Sequence, residues 1–498
     1  MQGAPLRRLV AAVRDAAVRR ADWLGRALLL ALLFGGLALV PADGVDGWIV
    51  AADAHAAAGE YTLALQLYEG AARQGRYGGG LAVRLGLVHL VRQRYTQAET
   101  VLSRGLADCL AAGDLPLLVR APLSDCVSAA RAALGQVYAR TSRPRAAAQS
   151  LASAAALGRS DAHYPLALVL LRLGQEGAAH TELEALASDG HEQAQLGLAL
   201  LDGLVQPDAV WGLLTRLGQR GTTAMAASAR QAAADLAAIG AEPDAAYRAM
   251  LIGRSALRAD QPEVALAAFR EAARLNASFA QAHAYQAYAF YLLGDLDLAM
   301  DATRDALALD AHDSQAHYVR GLVLRRLGRP AEAVLELEQA LVGDPGNPAL
   351  LGDLGETYAE LRNYDQAQED LSAAVRADPT SAVPWMRLAR YHLGTLLQVG
   401  SGLEAAENAA RLSPGSAEAL GLLGWGLYLN GRPADALPVL RRAVSVDPRS
   451  AEAQYHLGIV EAEVGTTAGA RRAFQRAVDL DIAGYFEARA LAALASLP

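Results

Sequence analysis

The 498-residue sequence predicts an all-α protein, a solenoid of paired helices preceded by one apolar segment near the N-terminus. Three observations carry that expectation. From Ala246 to Asp481 one pattern of small and large residues recurs every 34 positions. Within each period the apolar residues are spaced by three and four, the helical repeat, and a Gly or Asp divides the period into two helices. Breakers such as Asp344-Pro345, Asp378-Pro379 and Asp447-Pro448 close the units. A single globular core stops growing well before this length, whereas a stack of repeats does not.

The recurrence is position-specific. Gly253, Ala287, Gly321, Gly355, Gly424 and Gly458 fall at one place in their units, and Ala389 is displaced by one residue. Twelve residues further on stand Ala265, Ala299, Ala333, Ala367, Ala436 and Ala470; four beyond those come Phe269, Thr303, Leu337, Leu371, Leu440 and Phe474. Three beyond again are Ala272, Ala306, Ala340, Ala374, Ala443 and Ala477. Antiparallel helices approach closely only where one offers a small residue to the bulk of the other. The pattern resembles the tetratricopeptide repeat family, since six small or large positions agree in six of seven units. That resemblance implies a right-handed superhelix of helical hairpins whose first helices line a concave groove. The unit Ala382 to Gly415 departs from it: one extra residue enters between the helices, and Gly402 and Ala406 replace the alanine and the large residue. A local change of superhelical pitch is expected there.

In chain order, residues 1–22 form a basic segment with Arg7, Arg8, Arg14, Arg19 and Arg20 against Asp15 and Asp22. Residues 23–42 follow as an uncharged apolar run interrupted only by Arg26. The run reads as a transmembrane anchor, with a cleaved signal sequence ending near Val40-Pro41-Ala42 as the open alternative. In either case the arginines stay on the cytoplasmic side and the remainder is exported. Residues 43–245 are expected to hold repeat-like units. Trp48, Ala52, Gly59, Ala64, Tyr68 and Ala71 take the repeat offsets, and Gly86, Tyr95, Ala98 and Leu102 take them again.

An insertion at 106–127 then breaks the period and is bounded by Cys109 and Cys126, the two cysteines of the chain. In an exported protein they read as a disulfide closing this loop, which the chain-entropy model values at about 3 kcal/mol; two buried free thiols are the alternative. Residues 128–245 continue less regularly and offer a site for a bend. Residues 246–482 form the regular array of seven units, and 483–498 a capping helix with few charges.

All 45 basic residues are arginine, which removes lysine Schiff-base chemistry and a phosphate loop of the GK[ST] type, and the net charge of −8 argues against a basic nucleic-acid face. No nucleophile motif or metal-ligand spacing stands out; most histidines recur at repeat positions, as His55, His89 and His392 do, while His163, His180, His191 and His312 lie apart in no ligand spacing. No cofactor, metal or catalytic role is expected. The family resemblance instead implies a protein-binding groove lined by Tyr247, Met250, Arg254, Arg258, Tyr288, Tyr291, Tyr318, Arg325, Arg326, Trp425, Tyr428 and Tyr455. Such aromatic and arginine side chains suit an acidic or aromatic segment. The family's carboxylate clamp is not implied, because lysine is absent and Arg254 stands where its Asn would be. The expected protein is a membrane-anchored scaffold or adaptor of the cell envelope with its repeats outside the cytoplasm. The alternative is an accessory subunit positioning a separate enzyme, for example in envelope polysaccharide or glycosyl-transfer machinery.

Overall fold

The structure is a computed structural model of the chain and describes residues 45–74, 78–111, 123–220, 223–239, 242–481 and 484–497. The basic segment 1–22, the apolar segment 23–42 and the middle of the insertion lie outside the described residues. Among the described residues there is no strand, and no helix is long and apolar enough to cross a membrane.

The helices are α1 (Val45–Ala57), α2 (Tyr61–Arg73), α3 (Gly79–Val91), α4 (Tyr95–Ala111), α5 (Leu123–Arg140), α6 (Pro144–Ala156), α7 (His163–Arg172), α8 (Glu176–Ser188), α9 (Glu192–Asp202), α10 (Pro207–Arg220) and α11 (Thr223–Ile239). The array follows as α12 (Ala245–Arg258), α13 (Pro262–Leu275), α14 (Ala280–Leu293), α15 (Leu296–Leu309), α16 (Ser314–Arg326), α17 (Pro330–Gly343), α18 (Pro348–Glu360) and α19 (Tyr364–Ala377). It continues with α20 (Ala382–Arg390), α21 (Val399–Leu412), α22 (Ala417–Leu429), α23 (Pro433–Val446), α24 (Ala451–Glu463) and α25 (Thr467–Leu480), and closes with α26 (Tyr485–Ser496).

Local chemistry sets these boundaries. The first helices of six array units begin on Asp244, Asp313, Asn347, Ser381, Ser416 and Ser450, whose side chains accept first-turn backbone N–H groups. Pro262, Pro330 and Pro433 open second helices, where the missing N–H would have had no helical partner. Between the paired helices Gly294 and Gly431 turn through φ of 81° and 72°, which a side chain would strain.

The small residues work as contact points. A Cβ on Gly424 would lie 2.5 Å from Leu440 Cγ, and one on Gly355 would lie 2.8 Å from Leu371 Cγ. The irregular unit reverses this polarity. Its extra residue is absorbed as a π-helical turn, Tyr391–Leu396, that ends with Leu397 in the left-handed region at φ 54°. Here the large residue is on the first helix: a Cβ on Gly402 of α21 would lie 2.5 Å from Leu393 Cδ2.

Two sets of long-range contacts fold the stack back on itself. Arg172, at the end of α7, binds Asp295 through Nε and Nη2, and its Nη1 donates to the Ala139 carbonyl at 2.7 Å. Both members of that ion pair are buried. Arg270 of α13 donates to the carbonyls of Leu171 (2.6 Å) and Arg172 (2.9 Å), so α7 and α13 pack together and the intervening α8 to α12 form an excursion. The second set joins the two ends of the described stack, where α25 meets α2. Cys109 and Cys126 are joined by a disulfide that ties α4 to α5, with their Cα atoms 6.1 Å apart.

Candidate binding surface of the array

The first helices of successive units carry a continuous row of polar and aromatic side chains. Tyr318 of α16 donates its hydroxyl to Asp353 Oδ2 of α18 at 2.7 Å. Arg387 of α20 donates to Asp353 Oδ1 at 2.9 Å, so one carboxylate links three consecutive units. Arg325 donates from Nε to Glu360 (2.7 Å) and from Nη1 to Glu356 (3.1 Å). Further along, Arg390 pairs with Glu418 of α22 at 2.5 Å. Burial, and then the charge of Asp353, raise the Tyr318 hydroxyl pKa, so it stays a donor. Burial likewise raises that of Tyr288, reinforced by Tyr291 and Asp353.

Beside this network Tyr288 and Tyr291 of α14 stack with centroids 6.3 Å apart. Arg326 is exposed, lies over the Tyr291 ring at 5.5 Å and donates to the Tyr291 carbonyl at 3.0 Å. Here ring faces and an exposed guanidinium lie together.

The twelve residues selected from the sequence divide into three groups. Tyr288, Tyr291, Tyr318, Arg325 and Arg326 form the central group just described. Trp425, Tyr428 and Tyr455 lie towards the C-terminal end, where Trp425 stacks on His456 at 4.0 Å and 6° and on Tyr428 at 5.2 Å. Tyr455 packs against Phe486 of α26 at 5.4 Å. Burial, and then the nearby Arg489 charge, push the His456 imidazole down to about 3, so it is neutral in the stack.

The first group is corrected by its neighbour. Met250 is only 1% exposed and belongs to the core with Leu236 and Ile239, because α11 packs against α12 and covers that face. Arg258 is engaged by the same helix, at 2.6 Å from Asp235 Oδ2. Arg254 lies 5.7 Å over Tyr285, and Tyr247, 38% exposed, sits 6.4 Å from Phe279.

The residues missed are acidic. Asp353, Glu356 and Glu360 occupy the same face, yet the expectation named no acidic group. Counted from the unit starts, offsets eight and twelve, which give Tyr288 from Ala280 and Arg326 from Ser314, also give Glu356 and Glu360 from Pro348 and, at eight, Arg390 from Ala382; Asp353, at offset five, lies outside that set. Applying them to every unit was the available signal. Among the described residues no group of three or more His, Cys, Asp or Glu side chains is placed to hold a metal ion. The assembled groups are ring faces, fixed ion pairs and an exposed guanidinium, which is the chemistry of non-covalent recognition.

Family models described as tetratricopeptide repeat match residues 324–391, and residues 250–313, 395–445 and 422–485. Among solved structures, the chain is similar to YrrB, described as "a TPR protein with an unusual peptide-binding site", at 23% identity over 38% of this chain and 96% of that one, with TM-score 0.30. The Cut9–Hcn1 structure of the APC/C matches at 14% identity over 84% of this chain and 96% of that one, with TM-score 0.41. Yeast Tom70 matches at 16% identity over 84% and 95%, with TM-score 0.35. No curated protein matches the chain.

Proposed function

Residues 250–313, 324–391 and 395–485 are tetratricopeptide repeats, and from that premise we propose that the protein is a non-catalytic interaction scaffold that captures a protein segment along the first helices of its array. Tetratricopeptide repeat proteins are protein-interaction scaffolds. The observation that carries the reading is the juxtaposition of Tyr288, Tyr291 and Arg326, which offers stacked ring faces beside an exposed cation.

The partner segment is acidic and aromatic: its rings meet Tyr288 and Tyr291 and its carboxylate meets Arg326. Arg325 is not the contact, because it is already held by Glu356 and Glu360 and its charge is offset within the wall. The scaffold acts in the cell envelope, anchored by the apolar segment 23–42 with its repeats outside the cytoplasm. That location rests on the arginine bias of residues 1–22 ahead of the apolar run.

The test is affinity capture from solubilised membranes, with mass spectrometry, and binding of a fluorescein-labelled synthetic peptide of alternating Tyr and Glu. The pair Tyr291→Ala with Arg326→Glu is expected to lose both the captured partner and most of the peptide affinity, at unchanged far-UV circular dichroism. Undiminished capture by that variant would remove this surface as the site. Arg325→Glu is the wrong probe, since it places a fourth carboxylate beside Asp353, Glu356 and Glu360 and disturbs the wall itself.

A further inference from the structure

The ends of the described chain meet through groups on both sides of one seam. The Thr62 N–H donates to Asp479 Oδ1 at 2.8 Å across 417 positions. Arg476 Nη1 reaches the Gly59 carbonyl at 3.2 Å. Arg92 Nη2 donates to the Val478 carbonyl at 3.1 Å and lies 3.0 Å from Glu487 Oε1. Arg94 Nη2 takes both Glu487 oxygens, at 2.7 and 2.8 Å. Asp481 accepts the N–H groups of Phe486 (2.6 Å) and Glu487 (2.8 Å), which fixes the start of α26 with Glu487 turned to the two arginines.

Two properties set this seam apart from chance contact. Arg92 is only 4% exposed, so its guanidinium is buried where α3 ends, and a buried cation is tolerated only with partners in place. Those partners come from the other end of the chain. The seam is also small and polar: the partly exposed Arg94–Glu487 pair contributes little by itself, and contacts of this class open locally without global unfolding.

We propose that this seam is a clasp that closes the solenoid into a ring, and that its release is the step that admits a protein segment to the first-helix wall. The second part rests on the binding surface proposed above; the clasp itself does not. In an open solenoid a segment can dock sideways along the wall. With the ends joined, a segment would reach the wall only along the ring axis, whereas parted ends also admit it from the side.

Nitroxide labels at Gln97→Cys on α4 and Gln475→Cys on α25, both exposed and outside the seam contacts, report the end-to-end distance. The native disulfide stays intact under non-reducing labelling. A narrow distribution is expected in the otherwise unaltered chain. It lengthens and broadens with Arg92→Gln and Arg94→Gln together, with Glu487→Gln, and at about 1 M salt, where the Debye length is about 3 Å. Unchanged circular dichroism rules out unfolding as the cause. A broad, long distribution before any seam substitution, or a narrow one that no substitution moves, overturns the clasp.

Entry is read with the Tyr and Glu peptide by stopped-flow anisotropy. The Glu487→Gln chain is expected to bind faster than the parent, and the chain with residues 97 and 475 joined by a bismaleimide more slowly. Equal rates with a responsive distance overturn the gate and leave the clasp standing. If no form binds the peptide, the surface reading and the gate fall together, while the distance measurement still decides the clasp.

Discussion

His456 is 6% exposed, stacked on Trp425 at 4.0 Å and flanked by Tyr455 and Phe486. Its imidazole is pushed from 6.5 to about 3, chiefly by burial, whereas in the unfolded chain it protonates at its ordinary value. Between those values the unfolded chain therefore binds the extra proton. Stability present above pH 6.5 is lost progressively as pH falls towards 3. Up to about 2 kcal/mol should disappear between about pH 7.5 and about pH 5. Urea titrations read by tryptophan fluorescence should show this loss, and His456→Phe, which keeps a ring against Trp425 and removes the titration, should show a smaller one. An equal loss in the variant would assign the acid sensitivity elsewhere. His456 shares neither of the two recurrent histidine positions of the repeats, and its burial follows from Trp425 on one side and Phe486 of the last helix on another.

At the scale of elements, the unit built on α20 and α21 carries the clearest divergence between pattern and packing. Sequence reasoning detects one extra residue and the unusual Gly402, and expects a change of pitch. The structure adds how the backbone absorbs it: the π turn Tyr391–Leu396 carries Leu393 to where the second helix must be small. Gly402→Leu is therefore expected to destabilise the protein by about 1–3 kcal/mol, because the new side chain meets Leu393 at close range. Adding Leu393→Ala should recover part of that loss, as coupled neighbours do. Denaturant titrations of the two single variants and the double variant measure the coupling. Strict additivity would mean that the two residues do not share one contact. The other units were legible because each keeps its small residue on the first helix, as Gly355 faces Leu371 and Gly424 faces Leu440.

Across the whole molecule, the array is bound to the N-terminal units by the buried Arg172–Asp295 pair and by the seam between α2, α3 and the last two helices. Removing one member of a buried ion pair leaves the other uncompensated, so Asp295→Ala should cost about 3–5 kcal/mol. The loss should appear as reduced hydrogen-exchange protection in α7 as well as in α15, far apart in sequence. Protection lost only in α15 would mean that the pair does not hold the two segments together. The sequence by itself determined the helices, their breaks, the small-to-large contacts and the repeat identity, because these depend on residues within one period of 34. Tyr288, Tyr291 and Arg326 could be named from the sequence because they occupy fixed offsets in neighbouring units. Tertiary structure alone decided that α11 covers Met250, that Arg325 is held by Glu356 and Glu360, and that Arg92 finds Val478 and Glu487. Periodicity specifies which face a side chain occupies, but the small rotation added at each unit accumulates along the stack. Only the folded chain reveals which distant surfaces that sum brings together.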